Sequence, residues 1–368
     1  MQVTTHLPVI DLSSPTDSTS NDLLHAAREF GFLYVRFKAL PIDAEDVDSL
    51  FDLSRTFFAA PVAEKEKYKI GPEDRGWSAP YDEALDEALE NEPRLQYRRV
   101  QGSSTTAASS VNFVLAKRLP RFVPTQKPRI MPFAARTSRC SAKGLLPGLI
   151  DAAMANSKQI PFEAGGKHFF SSRHAQANGA TGSVLRLLYY PSQSLPTDKT
   201  SVEPIRCGAH TDFGSVTLLF QRPGQPGLEV ISPKGDWLPV MVSPPGTEND
   251  AIPPIVVNIG DMLQFWTKGV LRSTKHRVVI PPTKLVNGTS TTSDDAGDGK
   301  SKHTSGTPDR YSVAYFCHPA ADTLLVGVPS RLIEEQKGKE HQNEAEIVTA
   351  GEHLRRKLDK AYGWAKKT

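Results

Sequence analysis

A histidine and an aspartate two residues apart carry the clearest chemical signal in the chain. His210 and Asp212 lie in residues 205–221, where β-branched and aromatic residues predict an extended conformation. Residues two apart on a strand project from the same face, so an imidazole nitrogen and a carboxylate oxygen could bind one metal ion. The alternative is a surface strand on which both polar side chains face water.

A second histidine, further along the chain, would supply a third ligand. His276 lies in Ser-Thr-Lys-His-Arg-Val, and His303 is its rival in a stretch rich in Ser, Thr, Gly and Asp. Two histidines and one carboxylate on one side of an ion form the facial triad of non-haem Fe(II) oxygenases, which leaves coordination positions open. We favour His276, because a polar low-complexity loop does not hold His303 in place.

An arginine and a serine repeat the two-residue spacing near the C-terminal end. Arg310 and Ser312 lie in Asp-Arg-Tyr-Ser-Val and would share one face of a strand. A guanidinium binds a carboxylate through two charge-assisted hydrogen bonds, and a neighbouring hydroxyl adds a third. A metal triad with such a pair suits a co-substrate that has a keto acid at one end and a carboxylate at the other.

Four motifs, in this order, resemble the 2-oxoglutarate/Fe(II)-dependent oxygenases of the isopenicillin N synthase-like superfamily. They are His-Thr-Asp-Phe-Gly-Ser-Val-Thr-Leu-Leu from residue 210, Val-Asn-Ile-Gly-Asp-Met-Leu-Gln-Phe-Trp-Thr at 257–267, Ser-Thr-Lys-His-Arg-Val at 273–278 and Arg-Tyr-Ser at 310–312. The resemblance implies that His210, Asp212 and His276 bind Fe(II). It also implies that Arg310 and Ser312, with help from Tyr190, hold the distal carboxylate of 2-oxoglutarate.

The same resemblance implies a reaction. O2 and 2-oxoglutarate would be converted to succinate and CO2 while a small organic metabolite, as in secondary metabolism, is hydroxylated, desaturated or cyclised. Phe213, Phe265 and Phe316 are candidates for lining its pocket, or else core residues. Two alternatives stay open, namely an Fe(II) oxidase of the same superfamily that uses no 2-oxoglutarate and a catalytically inactive relative.

The elements that must position these residues indicate a mainly β protein with flanking helices. Many short strands with turn signals fit a double-stranded β-helix (jelly roll) core, which the resemblance also implies. The predicted strands are 7–12, 31–37, 184–191, 227–231 paired with 237–240, Ile255 to Ile259 and Met262 to Trp266. The predicted helices are 21–30, capped by Ser20 or Asn21, a helix that opens at Asp43, and a C-terminal helix with Leu354, Leu358 and Tyr362 on one stripe.

The chain divides into four parts at this level. Residues 1–95 resemble the N-terminal mixed α/β part of the oxygenase domain, 159–335 would form the jelly-roll core, and 336–368 would contain the C-terminal helix. Residues 96–158 form an atypical basic, proline-rich segment. Within 94–150 there are Lys and Arg residues and five prolines but no Asp or Glu. Three interpretations stay open: a disordered or extended insert, a basic arm for nucleic acid, and a faulty gene model that lacks a helix behind the barrel.

Composition sets the remaining expectations. The 368 residues are 38% hydrophobic and carry a net charge of +3, so no global field points to nucleic acid or to a membrane. The three cysteines are too few for a disulfide framework, and neither a signal peptide nor a long apolar run is present. We therefore expect a cytoplasmic, monomeric enzyme that acts on a small molecule, with no membrane or nucleic-acid partner.

Overall fold

The computed structural model describes a sheet-rich fold with helices packed on one side. The described residues are 7–13, 16–36, 43–72, 74–79, 109–114, 168–175, 179–194, 205–280, 306–326, 328, 330, 333 and 347–364. The helices are α1 (Asp17–Glu29), α2 (Ala44–Ala59), α3 (Val62–Glu66), α4 (Phe169–Arg173), α5 (Asp261–Trp266) and α6 (Ala350–Tyr362). The strands are β1 (Val9–Ile10), β2 (Phe32–Val35), β3 (Gly76–Ser78), β4 (Ser109–Val114), β5 (Val184–Tyr190), β6 (Gln193–Ser194), β7 (Ile205–His210), β8 (Val216–Gln221), β9 (Leu228–Ile231), β10 (Trp237–Pro239), β11 (Ile255–Ile259), β12 (His276–Val279), β13 (Gly306–Thr307) and β14 (Arg310–Cys317).

Two sheets face each other and form the jelly roll that the sequence predicts. The major sheet has eight strands in the order β1-β2-β11-β8-β14-β5-β4-β3, and the minor sheet has four in the order β10-β9-β12-β7. Strands β6 and β13 form a separate pair. Neighbouring strands run antiparallel except β1 and β2, which are parallel. From β7 to β12 consecutive strands alternate between the two sheets, except that β9 and β10 form a hairpin within the minor sheet, and this arrangement is that of a double-stranded β-helix.

The outer face of the major sheet packs against the helices. Leu185 and Leu187 of β5 and Val313 of β14 belong to one apolar cluster with Phe51 and Phe57 of α2. Helix α2 can cover the sheet because its apolar residues recur at the helical period and leave one buried stripe. Fully burying side chains of this size contributes about 1.5–3 kcal/mol each, so this outer layer carries much of the stability.

The inner faces of the two sheets enclose a second, smaller apolar cluster. Tyr190 and Val256 of the major sheet meet Leu228, Val230 and Val278 of the minor sheet. Because side chains alternate along a strand, Leu188 belongs to this inner set although its neighbours Leu185 and Leu187 belong to the outer one. The space between the sheets is therefore the place where inward-facing polar side chains meet.

Two predicted elements differ from the structure. Helix α1 begins at Asp17 and is capped by Thr16, not by Ser20 or Asn21, because Thr16 and Thr19 form a reciprocal capping box earlier in the chain. Residues 262–266, predicted as a strand, belong to helix α5. The N–H groups of Asp261 and Met262 donate to carbonyl oxygens of Asp212 and Gly214, so this first turn bonds to a loop and not to a neighbouring strand.

Other predicted elements are confirmed. The hairpin of β9 and β10, strands β2, β5 and β11, helix α2 and helix α6 all form close to their predicted positions. Residues 109–114 of the basic segment form β4, which pairs with β5 and β3. The rest of residues 96–158, and the loop that contains His303, lie outside the described residues. None of the helices in the described ranges is long and apolar enough to cross a membrane.

Candidate active site

The two predicted histidine ligands meet across adjacent strands of the minor sheet. His210 ends β7, His276 begins β12, and the two residues are register partners whose ring centroids are 4.3 Å apart. Asp212 follows two residues after His210, and its Oδ1 lies 3.9 Å from Nε2 of His210 and 3.6 Å from Nε2 of His276. One potential ligand atom from each residue lies within 4.8 Å of the others, so these three side chains could hold one metal ion.

An irregularity in β7 determines where His210 points. His276 pairs with His210 and Val278 with Cys207, so a two-residue step on β12 matches a three-residue step on β7. The extra residue on β7 is a β-bulge, and a β-bulge changes the direction of the side chains beside it. With strict alternation Cys207 and His210 would lie on opposite faces; here Sγ of Cys207 is 3.9 Å from Nδ1 of His210.

Backbone carbonyls fix the tautomers of both imidazoles. Nδ1 of His210 lies 2.8 Å from the Gly208 carbonyl oxygen, and Nδ1 of His276 lies 3.2 Å from that of Thr274. A carbonyl oxygen only accepts, so each Nδ1–H is the donor, and Nε2 is the nitrogen that carries a lone pair when the imidazole is neutral. Both lone pairs belong to the nitrogens nearest Asp212. Such outer partners orient imidazoles that bind metals in proteins.

Two side chains that sequence reasoning missed orient the carboxylate. Oδ2 of Asp212 accepts hydrogen bonds from Oγ1 of Thr217 at 2.5 Å and from Nδ2 of Asn258 at 2.6 Å. These bonds occupy one oxygen and leave Oδ1 directed at the two histidines. Asn258 is buried in the otherwise apolar strand β11. An amide side chain in an apolar strand could have identified Asn258 from the sequence, because a buried polar group needs a hydrogen-bond partner.

The pKa shifts of the triad follow from its burial and mutual charges. Burial raises the pKa of Asp212, but the two imidazoles and the bonds from Asn258 and Thr217 outweigh it and lower the pKa. Burial, together with the charge of His210, lowers the pKa of His276 to about 4. Burial also lowers the pKa of His210, but Cys207 and Asp212 reverse this and raise it to about 10. A metal ion bound at Nε2 of His210 would compete with a proton for that nitrogen.

The predicted carboxylate-binding residues lie together at one end of the barrel. Arg310 begins β14 opposite Tyr190 of β5, and its guanidinium lies 5.0 Å from the centroid of the tyrosine ring. Ser312 is the next residue on the same face, and its Oγ accepts from Nη1 of Arg310 at 3.4 Å. All three side chains are buried. The structure thus brings together the arginine, serine and tyrosine that the sequence singles out.

Arg310 is a buried cation with neutral partners. Besides Ser312, its hydrogen-bond acceptors include Oε1 of Gln221 at 3.4 Å, the Gln225 carbonyl oxygen at 3.3 Å and the hydroxyl of Tyr190. Burial lowers the pKa of Arg310, while Tyr190 favours its charged form. A buried charge is costly unless an opposite charge joins it, so the site favours an anion.

Gln221 is another functional candidate that sequence reasoning missed. It ends β8 opposite Ser312, and its Nε2 is buried with no hydrogen-bond partner among the described residues. An unsatisfied amide beside a buried guanidinium gives an incoming carboxylate one more donor. Gln221 lies two strands from Tyr190 in the sheet but 31 residues away in the chain, so no local motif reveals it.

The three phenylalanines proposed for the pocket are in different places. Phe316 lies on β14 in register with Thr217, hence on the inner face, and is half-buried. Phe213, next to Asp212, is half-buried with Nζ of Lys357 5.9 Å from its ring centroid. Phe265 lies on α5 with its ring 5.4 Å from that of His353 and is 38% exposed. Of the three, Phe316 is the one that the sheet register directs between the sheets.

Comparisons with known proteins agree with this geometry. Residues 181–319 match the family model of the 2OG-Fe(II) oxygenase superfamily, and residues 7–110 match that of the N-terminal region of non-haem dioxygenases in morphine synthesis. A UPF0676 protein of Schizosaccharomyces pombe is 32% identical over 98% of this chain and 94% of its own length. The 2-oxoglutarate-dependent dioxygenase gloF of Glarea lozoyensis is 28% identical over 89% of this chain and 90% of its own.

The fold has a solved counterpart. A full-length Neurospora crassa protein, crystallised with alpha-KG and thymine, superposes with a TM-score of 0.69 at 24% identity, over 96% of each chain. At this identity the likeness supports the fold alone, and the family model and curated relatives carry the activity. Together with the His-Asp-His cluster, these findings show that the chain belongs to the 2OG-Fe(II) oxygenase superfamily and is a dioxygenase that uses Fe(II) and 2-oxoglutarate.

Proposed function

We propose that His210, Asp212 and His276 bind Fe(II) and that the enzyme oxidises a small organic metabolite. The donor set fits the metal, since two imidazole nitrogens and one carboxylate oxygen form the facial triad of non-haem Fe(II) oxygenases. The carbonyl, threonine and asparagine contacts described above hold these donors in place. Fe(II), when bound, supplies the activation of O2 that no amino-acid side chain provides.

We propose that Arg310, Ser312 and Gln221 bind the distal carboxylate of 2-oxoglutarate, with Tyr190 as the wall behind the guanidinium. The single observation that carries this assignment is the buried charge of Arg310, whose acceptors in the described ranges are all neutral. A carboxylate would neutralise the guanidinium and satisfy Nε2 of Gln221. Leu188, Leu219 and Cys207 pack beside this cluster on the inner faces and would exclude water from the co-substrate.

The reaction assigned to these residues couples two oxidations. O2 would be the oxidant of both: the co-substrate would lose CO2 and become succinate with one oxygen atom of O2, and the metabolite would be hydroxylated with the other, or desaturated or cyclised with that atom leaving as water. The residues of this chain would bind and orient both molecules in a partly dry barrel, so that one chosen C–H bond of the metabolite lies at the metal site. The match to the family model of dioxygenases in morphine synthesis favours a substrate from secondary metabolism.

An anaerobic spectrum tests the proposal. Fe(II) followed by 2-oxoglutarate is expected to produce a weak visible charge-transfer band in the wild type and none in His210→Ala. A band that persists in His210→Ala would exclude His210 as a ligand. If the protein binds iron but shows no charge-transfer band, and turns over without forming succinate, the result would support the alternative Fe(II) oxidase. In that enzyme Arg310 would bind the carboxylate of the substrate itself.

A further inference from the structure

Asp261, the first residue of helix α5, bonds to three separate parts of the chain. Its backbone N–H donates to the carbonyl oxygen of Asp212 at 2.7 Å. One carboxylate oxygen, Oδ1, accepts from Oγ of Ser273 at 2.8 Å, and the other, Oδ2, accepts from Nζ of Lys357 at 2.7 Å. Ser273 lies three residues before His276, and Lys357 lies on α6. One residue therefore connects the segments that carry two predicted metal ligands with the C-terminal helix.

The segment that leads to His276 is held by α5 at two points. Besides the hydroxyl bond to Asp261, the backbone N–H of Ser273 donates to Oε1 of Gln264 at 2.6 Å. The next residue, Thr274, supplies the carbonyl oxygen that accepts from Nδ1 of His276. A shift of Ser273 would therefore move the carbonyl oxygen that orients the imidazole of His276.

Lys357 belongs to the face of α6 that contacts α5. His353 lies four residues earlier and so shares this face, and its ring centroid is 5.4 Å from that of Phe265 on α5. Nζ of Lys357 also lies 5.9 Å from the ring centroid of Phe213, the residue that follows Asp212. The C-terminal helix therefore contacts α5 beside the loop that contains Asp212.

The ion pair of Asp261 and Lys357 is partly exposed. The side chain of Lys357 is 39% exposed and that of Asp261 is 13% exposed. An ion pair this close to solvent adds little to the free energy of unfolding, so loss of Lys357 should leave the chain folded. Each oxygen of the Asp261 carboxylate nevertheless has its own donor, and the two bonds together fix its rotation and keep Oδ1 directed at Ser273.

We propose that Asp261 is a positioning residue for the metal centre, and that its bond to Lys357 couples docking of the C-terminal helix to Fe(II) binding. This inference rests on the proposed function of the triad. With α6 docked, the carboxylate of Asp261 holds the segment of His276 while its N–H holds the loop of Asp212, so the two ligands keep their separation. Coupling between two sites is reciprocal, so Fe(II) should in turn stabilise the docked position of α6.

Anaerobic Fe(II) titrations of the full-length protein test the coupling. Lys357→Met keeps the length and the apolar stem of the side chain, and Asp261→Asn keeps the N–H that bonds to Asp212. Each variant is expected to weaken Fe(II) affinity about tenfold, the lower end of the range for outer partners of metal ligands. The double variant should weaken it no further than Asp261→Asn alone, because both substitutions break the same ion pair.

Arg355→Gln is the matched control. Arg355 pairs with Asp359 at 2.7 Å within α6, so the substitution removes a cation and an ion pair from the same helix. Exposed pairs of this kind contribute little, so its Fe(II) affinity should stay within about twofold of the wild type. Ser273→Ala, which removes the donor to the other carboxylate oxygen of Asp261, is expected to weaken Fe(II) affinity as Lys357→Met does.

Hydrogen exchange supplies a readout that does not depend on turnover. Exchange of the α6 amides is measured without metal and with Fe(II), in both cases without O2. In the wild type Fe(II) is expected to slow this exchange, because metal binding favours the docked helix. In Lys357→Met the same addition should leave the exchange of α6 unchanged.

Several results would overturn the inference in a wild type that binds Fe(II) through His210. They are an unchanged Fe(II) affinity in Lys357→Met and Asp261→Asn, additive losses in the double variant, an equal loss in Arg355→Gln, and exchange of α6 that does not respond to Fe(II). A wild type that binds no Fe(II), or whose affinity is unchanged in His210→Ala, would instead refute the proposed function on which the inference rests. The His210→Ala titration therefore distinguishes the two failures.

Discussion

Asn258, the last residue but one of β11 in the major sheet, donates a hydrogen bond of 2.6 Å to the carboxylate of Asp212, which follows β7 of the minor sheet. The bond ties the metal-binding loop to the major sheet and occupies the oxygen that does not face the histidines. We expect Asn258→Leu to weaken Fe(II) affinity about 10–100-fold, the range typical of outer partners of metal ligands. The measurement is an anaerobic Fe(II) titration of the wild type and the variant.

A matched control for Asn258 is another buried hydrogen-bonding side chain away from the site. Thr247 donates to the Pro244 carbonyl oxygen at 2.7 Å, and Thr247→Val should change stability without changing Fe(II) affinity. Equal loss of affinity in both variants would mean that general destabilisation, and not the orientation of Asp212, explains the effect.

Arg310→Gln is expected to abolish most binding of 2-oxoglutarate and to spare the metal. The substitution removes the charge that the carboxylate neutralises, so the KM for 2-oxoglutarate should rise about 100-fold, and Ser312→Ala should raise it about tenfold or less. Fe(II) titration of both variants serves as the control. A large loss of iron affinity would show that the two ends of the barrel are not independent.

Gly260→Ala is expected to disturb the metal-binding loop through the backbone. A Cβ at residue 260 would lie 2.3 Å from the carbonyl oxygen of Gly214 and 2.9 Å from that of Asp212, closer than real Cβ atoms approach. The loop must move, so both the thermal midpoint and Fe(II) affinity should fall. Gly71→Ala is the control, because a Cβ there would meet nothing within 4 Å. If Gly260→Ala leaves the Fe(II) affinity unchanged, the close contact at Gly260 does not determine the position of the loop that contains Asp212.

Stability is expected to fall as the pH drops below about 6.5, because buried histidines resist protonation. Burial lowers the pKa of His174 and of His318 to about 4, from the ordinary value of 6.5. Between these values the unfolded chain binds protons that the native protein excludes, so unfolding becomes easier as pH falls. Each histidine contributes about 1.4 kcal/mol per pH unit in this window.

The measurement is the free energy of urea unfolding at several pH values from 7 to 5. His174 is the residue to vary, since its Nδ1–H donates to the Phe170 carbonyl oxygen at 2.7 Å and its Nε2 accepts from Ser215. His174→Gln should lose stability at pH 7 and show a smaller slope than the wild type. An identical slope would mean that His174 does not titrate on unfolding.

The sequence reveals the parts of the site that lie close together in the chain. The spacings of His210 with Asp212 and of Arg310 with Ser312 predict a shared face, and the structure has both pairs on or beside strands. The ordered motifs distinguish His276 from His303, which spacing alone cannot do. The ligand roles of these residues stay predictions that the titrations above test.

The residues that sequence reasoning missed depend on strand order, which no local pattern encodes. Asn258 and Thr217 reach Asp212 because β11 and β8 are neighbours, and Gln221 reaches Arg310 because β8 lies beside β14. The error at Met262–Trp266 has the same origin. Its apolar residues suit a strand or a short buried helix, and bonds from its first turn to the loop at Asp212 decide the outcome.

The major sheet takes strands from both ends of the chain, and this constrains how the protein can be shortened. Strand β2 pairs with β11 along the row that includes Asn258, and β3 and β4 extend the sheet beyond β5. A fragment that begins near residue 159 would expose β11 and β5 as bare edges that can pair with other chains. The catalytic half should therefore aggregate when expressed alone, and the chain should unfold as one cooperative unit.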